Sequence, residues 1–387
     1  MTTVAMASDC AIAEDGHRHP SHGPRHLHAL SQPDTAFDEV AEGAGVAEDG
    51  LPGSERRRGG YFEDKSLVLV TGGSGFFGGR LAATLLAAGH AVRIADIRPP
   101  DEHPGLADAE FMPCDLTDEV QAMRACVGVS QVFHLAGNPS GTRSVTNPLW
   151  DFTVNAVGTT NLCQAAVSAA VRRMVYVSSG MVYGVPQSCP IDEDHPVAPF
   201  IPYSASKLSA EYSARAAAAT YGLAVSIARP FTLYGPGEDP ATSGGEVSQF
   251  ARWHLNDLPI PITGDPDRKS RDFTHVDDAV AAVRAIMESG SPGAAYNVGT
   301  GRETTLSQLV DIIGQATGSR PRTTVDLATT DDTYRHVADV TRLRALGYQP
   351  EVSLEAGVRS LVEWLGPNPQ IPTLPTVFTL RGAAGRS

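Results

Sequence analysis

The chain lacks the features that mark several large protein classes. It has no excess of positive charge: 30 Lys and Arg against 44 Asp and Glu give a net charge of −14 over 387 residues. A general nucleic-acid or anionic-membrane binder would favour a basic surface, so neither partner is expected. Its five cysteines, Cys10, Cys114, Cys126, Cys163 and Cys189, show no Cys-x-x-Cys spacing. That excludes the usual zinc ribbon and disulfide framework, and no metal site is assigned. No apolar run approaches the roughly 20 residues of a membrane span, and the N-terminus has no basic region followed by an apolar core. A reducing, cytoplasmic setting fits this pattern best. No internal repeat is present either.

Residues 1–65 show no apolar periodicity and are expected to be a disordered extension. Its cluster of His17, His19, His22, His26 and His28 is interrupted by Pro20, Gly23 and Pro24, and reads as flexible chain rather than a metal site. From Leu67 onward, apolar β-rich runs alternate with Ala/Leu-rich stretches. Leu67–Val70, Ala91–Ala95, Gln131–Leu135, Arg173–Val177 and Ala224–Ala228 read as buried strands, and Gly79–Ala88, Leu149–Ala170 and Tyr203–Tyr221 as helices. This rhythm predicts an α/β fold with a Rossmann-type, doubly wound parallel sheet. Its core falls mainly in 66–180 and 203–230. A smaller C-terminal substrate-binding unit is expected from the Pro-, Gly- and acid-rich insertions at 181–202, 232–275 and 315–350. The unit ends near Leu365, before the helix stop Gly366-Pro367, and 366–387 reads as a loosely ordered tail.

Glycines fall directly between the first strand and helix, in Thr71-Gly72-Gly73-Ser74-Gly75-Phe76-Phe77-Gly78. Gly72 permits a tight turn, Gly75 lets backbone approach a pyrophosphate, and Gly78 allows close helix packing, while the helix N-terminus offers amides to the anion. Asp96 ends the second strand 18 residues past Gly78. An acid there accepts ribose hydroxyls and repels a 2′-phosphate, favouring NAD; Arg98, two residues on, keeps NADP open. Asp115 follows the third strand and reads equally as an adenine contact or as the cap of a helix beginning near Thr117. Further along, Tyr203 and Lys207 share a helix face at i and i+4. An ammonium beside the phenol would bring a tyrosine that titrates at about 10 toward neutrality, as a general base requires.

To these features add His134-Leu135-Ala136-Gly137, Asn155 in Val154-Asn155-Ala156-Val157-Gly158-Thr159, Val177-Ser178-Ser179-Gly180-Met181-Val182-Tyr183-Gly184, Arg229-Pro230-Phe231, and Arg271-Asp272-Phe273-Thr274-His275-Val276-Asp277-Asp278. Together they resemble the extended short-chain dehydrogenase/reductases, specifically the NAD-dependent epimerase/dehydratase family of nucleotide-sugar enzymes, from about Leu67 to Leu365. The resemblance implies catalysis by Ser179, Tyr203 and Lys207. It implies NAD contacts from Gly72, Gly75, Phe76, Phe77, Gly78, Asp96, Asp115, Leu116, Leu135, Ala136, Gly137, Asn155, Tyr203 and Lys207. Ser179, Thr232 and Arg271 are implied to meet the substrate, with Arg271 on its diphosphate. His275, Tyr183, Ser178 and His134 read as packing or structural groups. A homodimer through the Leu149–Ala170 and Tyr203–Tyr221 helices is also implied.

The residues after Ser179 bear on the reaction. The 4,6-dehydratases of the family follow their catalytic hydroxyl with Asp and Glu, whereas this chain has Gly180 and Met181, which transfer no proton. A 4-epimerase acting on a UDP- or dTDP-linked sugar through a 4-keto intermediate needs no such pair, and small Gly180 suits the turnover of the sugar. A keto-sugar reductase or dehydrogenase is the alternative, with a dehydratase or a non-catalytic nucleotide binder behind it. Two departures concern the substrate. Thr232 stands where the family commonly has Asn, and Thr329-Thr330-Asp331-Asp332 replaces an Arg-x-Gly-Asp segment, leaving Arg335 to substitute for its arginine.

Overall fold

Short apolar runs become parallel strands here because most of the connections between them carry a helix that crosses back over the sheet. The structure, a computed structural model, describes residues 67–100, 104–241, 245–327 and 335–371. The extension 1–65 with its histidines, the Thr329–Asp332 turn and most of the tail lie outside the described residues. The first half runs β1 (Leu67–Thr71), α1 (Phe76–Ala87), β2 (Val92–Asp96), β3 (Glu110–Pro113), α2 (Glu119–Ala125), β4 (Val129–His134), α3 (Gly141–Thr146), α4 (Pro148–Phe152), α5 (Gly158–Ser168), β5 (Arg173–Val177), α6 (Pro202–Tyr221) and β6 (Val225–Pro230). The second half runs β7 (Thr232–Tyr234), α7 (Glu246–Leu255), β8 (Ile260–Thr263), β9 (Ser270–Arg271), β10 (Phe273–His275), α8 (Val276–Ser289), β11 (Ala295–Val298), β12 (Thr304–Thr305), α9 (Leu306–Thr317), β13 (Thr323–Asp326), β14 (Arg335–His336), α10 (Thr341–Arg344) and α11 (Leu354–Leu365).

Seven parallel strands form one sheet in the order β11-β6-β5-β4-β1-β2-β3. The order reverses between β1 and β4, so the loops after these two strands diverge and leave a crevice at their C-terminal ends. Apolar layers cover both faces: Leu69, Val132, Met174 and Ile227 point to the side of α5 and α6, Val70, Ile94, Phe133 and Val175 to that of α1 and α8. On the first side, Ala210, Ala214 and Ala217 of α6 pack with Leu162, Cys163 and Ala166 of α5, and their small size brings the two helices close. The seventh strand, β11, and its helix α8 fall outside the segments expected to form the core. A four-residue strand next to Gly290, Pro292 and Gly293 carries too little periodicity to stand out.

The remaining elements build a lobe around α7, α9 and α11, whose apolar faces meet through Val247, Phe250, Leu309, Ile313, Val358 and Leu361. Three small sheets stitch it: β10 with β7, β13 with β8, and β9 between β12 and β14. The start of the tail is anchored rather than loose. Arg252 Nη1 donates to the Gln370 carbonyl at 2.9 Å, Asn256 Nδ2 donates to the Pro369 carbonyl at 2.8 Å, and Pro369 is buried.

Helix α6, which carries Tyr203 and Lys207, is fixed to the sheet by a buried ion pair. Arg229 at the end of β6 donates from Nε and Nη2 to the two carboxylate oxygens of Glu211 at 2.9 and 2.6 Å. Glu211 is fully buried, and also accepts from the Ser178 hydroxyl at 2.6 Å. Removing one partner of such a pair strands the other charge away from water, at a cost of about 3–5 kcal/mol. Glu211→Gln is therefore expected to lower the free energy of urea unfolding by an amount of this order, well above the change from a surface Glu→Gln control.

Candidate active site

At the cofactor end, Gly72 has φ +69°, and a β-carbon on it would lie 2.6 Å from the Ala136 nitrogen. A β-carbon on Gly78 would overlap the Gly72 carbonyl oxygen. The glycines thus let the β1 turn, the β4 turn and α1 converge. Gly75 starts α1 without a side-chain cap, and no acid occupies the first turn, so the helix start suits a phosphate. Asp96 is oriented beside this turn: its Oδ2 accepts from the Ser74 amide at 3.1 Å and its Oδ1 from the Arg98 amide at 3.3 Å. Phe76 lies under Gly237, and Phe77 packs toward the α1 core.

After β4, the amides of Leu135 and Ala136 donate to the carbonyl and hydroxyl oxygens of Thr71 at 3.1 and 3.2 Å. His134 is a satisfied interior group, bonded to the hydroxyls of Thr71 and Thr159 at 2.7 and 2.9 Å. Asp115 does not cap a helix at Thr117. Its Oδ1 accepts from the amide and hydroxyl of Thr117 at 2.9 and 2.8 Å, and the cap of α2 is Asp118. The local turn takes up the two residues before the helix begins. Leu116 is buried against Gly158, and its carbonyl accepts from Asn161 Nδ2 at 2.9 Å.

The single helix expected over Leu149–Ala170 is interrupted. Between α4 and α5 a π-helical turn spans Thr153–Val157, a wider winding of the kind often found at functional positions, and Asn155 sits on it. Asn155 Oδ1 accepts from the Asn138 amide at 2.8 Å and lies 2.5 Å from where a Gly137 β-carbon would be. Its Nδ2 donates to Asp151 Oδ1 at 3.0 Å and to Ser206 Oγ at 2.9 Å. Asp151, Asn138 and Ser206 carry no motif and are missed by reading the sequence.

At the catalytic end, Ser179 leaves β5 and caps a 3₁₀ turn over Gly180–Tyr183, its Oγ accepting from the Met181 amide at 3.2 Å. The Tyr203 phenol lies near enough to the Ser179 side chain to feel its hydroxyl. Lys207, on the same face of α6, donates from Nζ to the Val177 carbonyl at 3.1 Å and stands over the Tyr176 ring. Ser179, Tyr203 and Lys207 are thus brought to one place. In the protein alone, however, the phenol is not poised near neutrality. Burial pushes Tyr203 up to about 12, with Ser179 pulling it down and Asp151 pushing it up. Burial brings Lys207 down to about 8 against the pull of Asp151 and Glu211.

At the substrate end, Thr232 on β7 lies beside Gly245, next to Glu246. Arg271 is buried and donates from Nε to Glu246 Oε1 at 3.0 Å. Arg335 makes a two-bond pair with Glu303, both contacts 2.7 Å, on the strand adjoining Arg271. The space over Gly180 is not open: a β-carbon there would lie 3.1 Å from His336 Cε1 and 3.2 Å from the Phe231 ring. His336 Nε2 bonds the Gly180 carbonyl at 3.1 Å, and its ring stacks on Phe231 with centroids 4.5 Å apart. Room for a turning sugar is therefore not supplied by Gly180. Tyr183, His275 and Ser178 are structural: Tyr183 lies between Arg229 and Asn297, His275 caps α8, and Ser178 bonds Glu211.

A dinucleotide turn at the crevice of a doubly wound sheet, with Ser, Tyr and Lys gathered beside it, defines a nicotinamide-dependent enzyme of the short-chain dehydrogenase type. Comparison with known proteins gives its place in that class. Residues 68–299 match the NAD dependent epimerase/dehydratase family, and the chain belongs to it. It is 38% identical over 307 residues to a UDP-glucose 4-epimerase of Mycolicibacterium smegmatis, covering 77% of this chain and 97% of that one. A dTDP-glucose 4,6-dehydratase of Streptomyces griseus is 31% identical, over 77% of this chain and 93% of its own. The crystal structure of Thermus thermophilus UDP-glucose 4-epimerase in complex with NAD superposes with a TM-score of 0.70 at 31% identity, covering 77% and 98% of the two chains. The protein is an NAD-dependent epimerase of this family, and the glycine cradle and Asp96 fit that cofactor.

Burial holds both His134 and His336 down at about 3, well below their ordinary value of about 6.5. Both are neutral when folded and take up protons on unfolding in acid. The stability they contribute is present above about pH 6.5 and is lost as pH falls toward 3. Urea midpoints are expected to be level from pH 8 to 7 and to drop below 6.5, with a shallower drop in His336→Asn.

Proposed function

We propose that the protein interconverts the two C4 epimers of a UDP- or dTDP-linked hexose without net consumption of cofactor. The observation that carries this reading is the closed surface beside Ser179. A side chain at Gly180 would crowd the rings of His336 and Phe231, and the imidazole beside it is neutral, with Nε2 engaged on a carbonyl. Elimination of water needs an acid and a base at that place, and neither is supplied.

Bound NAD supplies a hydride acceptor that becomes the donor for the return step. The chain's own residues manage the proton and the geometry. Ser179 orients the sugar hydroxyl through its Oγ, and Tyr203 takes the hydroxyl proton as the carbon is oxidised, then returns it to the same oxygen once the sugar has turned its other face to the hydride. Its phenol starts high, so it depends on the nearby Ser179 hydroxyl and on positive charge, from Lys207 and from the oxidised nicotinamide when bound. Arg271 is the residue for the diphosphate, its fork matching two oxygens. Leu149, Phe152 and Tyr212, large and exposed on α4 and α6, support pairing of two copies through these helices.

The direct test is to mix purified protein with UDP-glucose, UDP-galactose and dTDP-glucose and follow the anomeric signals by NMR. Approach to an epimer equilibrium without NADH accumulation is expected. A released 4-keto-6-deoxy sugar would sink the epimerase reading, and stoichiometric NAD(P)H oxidation with a keto-sugar would replace it by a reductase. Tyr203→Phe is expected to lower kcat by about 10²–10⁴-fold with the cofactor still bound.

A further inference from the structure

We propose that Asp151 is a positioning residue of the hydride-transfer site, a carboxylate sealed beneath α6 that locks Asn155 and Ser206 in one arrangement and keeps the Lys207 ammonium charged. Its geometry is that of a built site. Asp151 is fully buried; its Oδ1 accepts from Asn138 Nδ2 at 2.7 Å and Asn155 Nδ2 at 3.0 Å, and its Oδ2 from the Ser206 hydroxyl at 2.6 Å. All three donors are neutral. A carboxylate held away from water by neutral donors alone is costly, and such a charge is expected to serve something nearby.

The nearby cation is Lys207. Asn155 Oδ1 and Lys207 Nζ flank the same point over Gly137, 2.5 and 3.3 Å from it, so the Asp151–Asn155 pair and the ammonium border one small space. The titratable groups that face Lys207 come from four elements: Asp151 on α4, His134 on β4, Tyr176 on β5, and Tyr203 and Glu211 on α6 itself. His134 is neutral and the two phenols are held high by burial, so the charges among them are the two carboxylates. Glu211 is already bound by Arg229 through two bonds and by Arg215 at 3.2 Å. Asp151 is the carboxylate without a cation of its own, and it offsets the burial that would otherwise discharge Lys207. The same charge also orders Asn155: with Nδ2 turned to Asp151, its Oδ1 must face Gly137.

The inference rests on the assignment of Tyr203 and Lys207 as the proton-transfer pair, but its first test needs no substrate. The chain's lysines are Lys65, Lys207 and Lys269, so protein carrying ¹³C at lysine Cε gives three signals, and Lys207→Met identifies one of them. In Asp151→Asn the Lys207 titration is expected to move down by roughly one to two pH units, as for a unit charge removed from a part-screened interior. Ser206→Ala, which removes a hydrogen bond and leaves the charge, should move it by much less. In turnover, Asp151→Asn should lower kcat roughly 10- to 100-fold with little change in KM, and its alkaline limb should shift to lower pH with the titration. An unmoved Lys207 signal in folded Asp151→Asn overturns the proposal, whatever the activity. If that variant does not fold, Asp151→Ser decides: a Lys207 titration moved down from the native one upholds the role, and an unmoved one overturns it. Absence of activity on every nucleotide sugar, with the titration shift intact, would count against the proposed reaction and not against Asp151.

Discussion

The pair between Glu211 and Arg229 holds the active site together. Tyr203 and Lys207 stand on α6 and Ser179 on the loop after β5, at the two ends of the single long connection from β5 to β6. Glu211 sits one turn beyond Lys207 and receives Arg229 from β6 and the hydroxyl of Ser178, the residue before Ser179. One buried carboxylate therefore ties the helix to both neighbouring strand ends. Arg229 extends the tie to Tyr183 at 2.9 Å, closing the turn that Ser179 begins. Exposed pairs of the same type contribute little; here both members are enclosed, so neither can exchange its partner for water.

A second consequence follows from enclosure. The same burial that fixes the hydroxyls raises Tyr203 and lowers Lys207, each toward its neutral form. The protein alone is thus organised in shape but not in charge. In the reading proposed above, positive charge from bound NAD would act on the phenol, and negative charge from the α4 side on the lysine. This division explains why a base motif at i and i+4 is insufficient by itself: spacing fixes who are neighbours, and the interior fixes which protonation states they prefer.

What could be read from the chain follows the range of the interactions. Gly72, Gly75 and Gly78 were legible because the turn is contiguous, Asp96 because it ends the next strand, and Tyr203 with Lys207 because helical geometry is local. Asp151, Glu211 and His336 were not, since a carboxylate or imidazole has no sequence signature for burial. Their partners Ser206, Arg229 and Gly180 lie 55, 18 and 156 residues away. Similar reasons account for the errors of detail. The π turn at Asn155 adds a residue to a winding that periodicity treats as uniform, and β11 is too short to signal. Asp115 and Asp118 are both plausible caps, and only the path of the turn between them chooses Asp118.

The contact of His336 with Gly180 also sets an order of assembly. The turn that Ser179 begins receives its covering imidazole from a strand made long after β5 has left the ribosome. A nascent chain can complete β1 to β5 and the glycine turn early, while the wall opposite Ser179 waits for β14. The sheet is not finished early either, since β11 joins it beside β6, and Leu343 and Tyr348 complete the apolar layer on the side of α1 and α8. The wall beside Ser179 is thus built from two stretches 156 residues apart, and it closes only when both have been made.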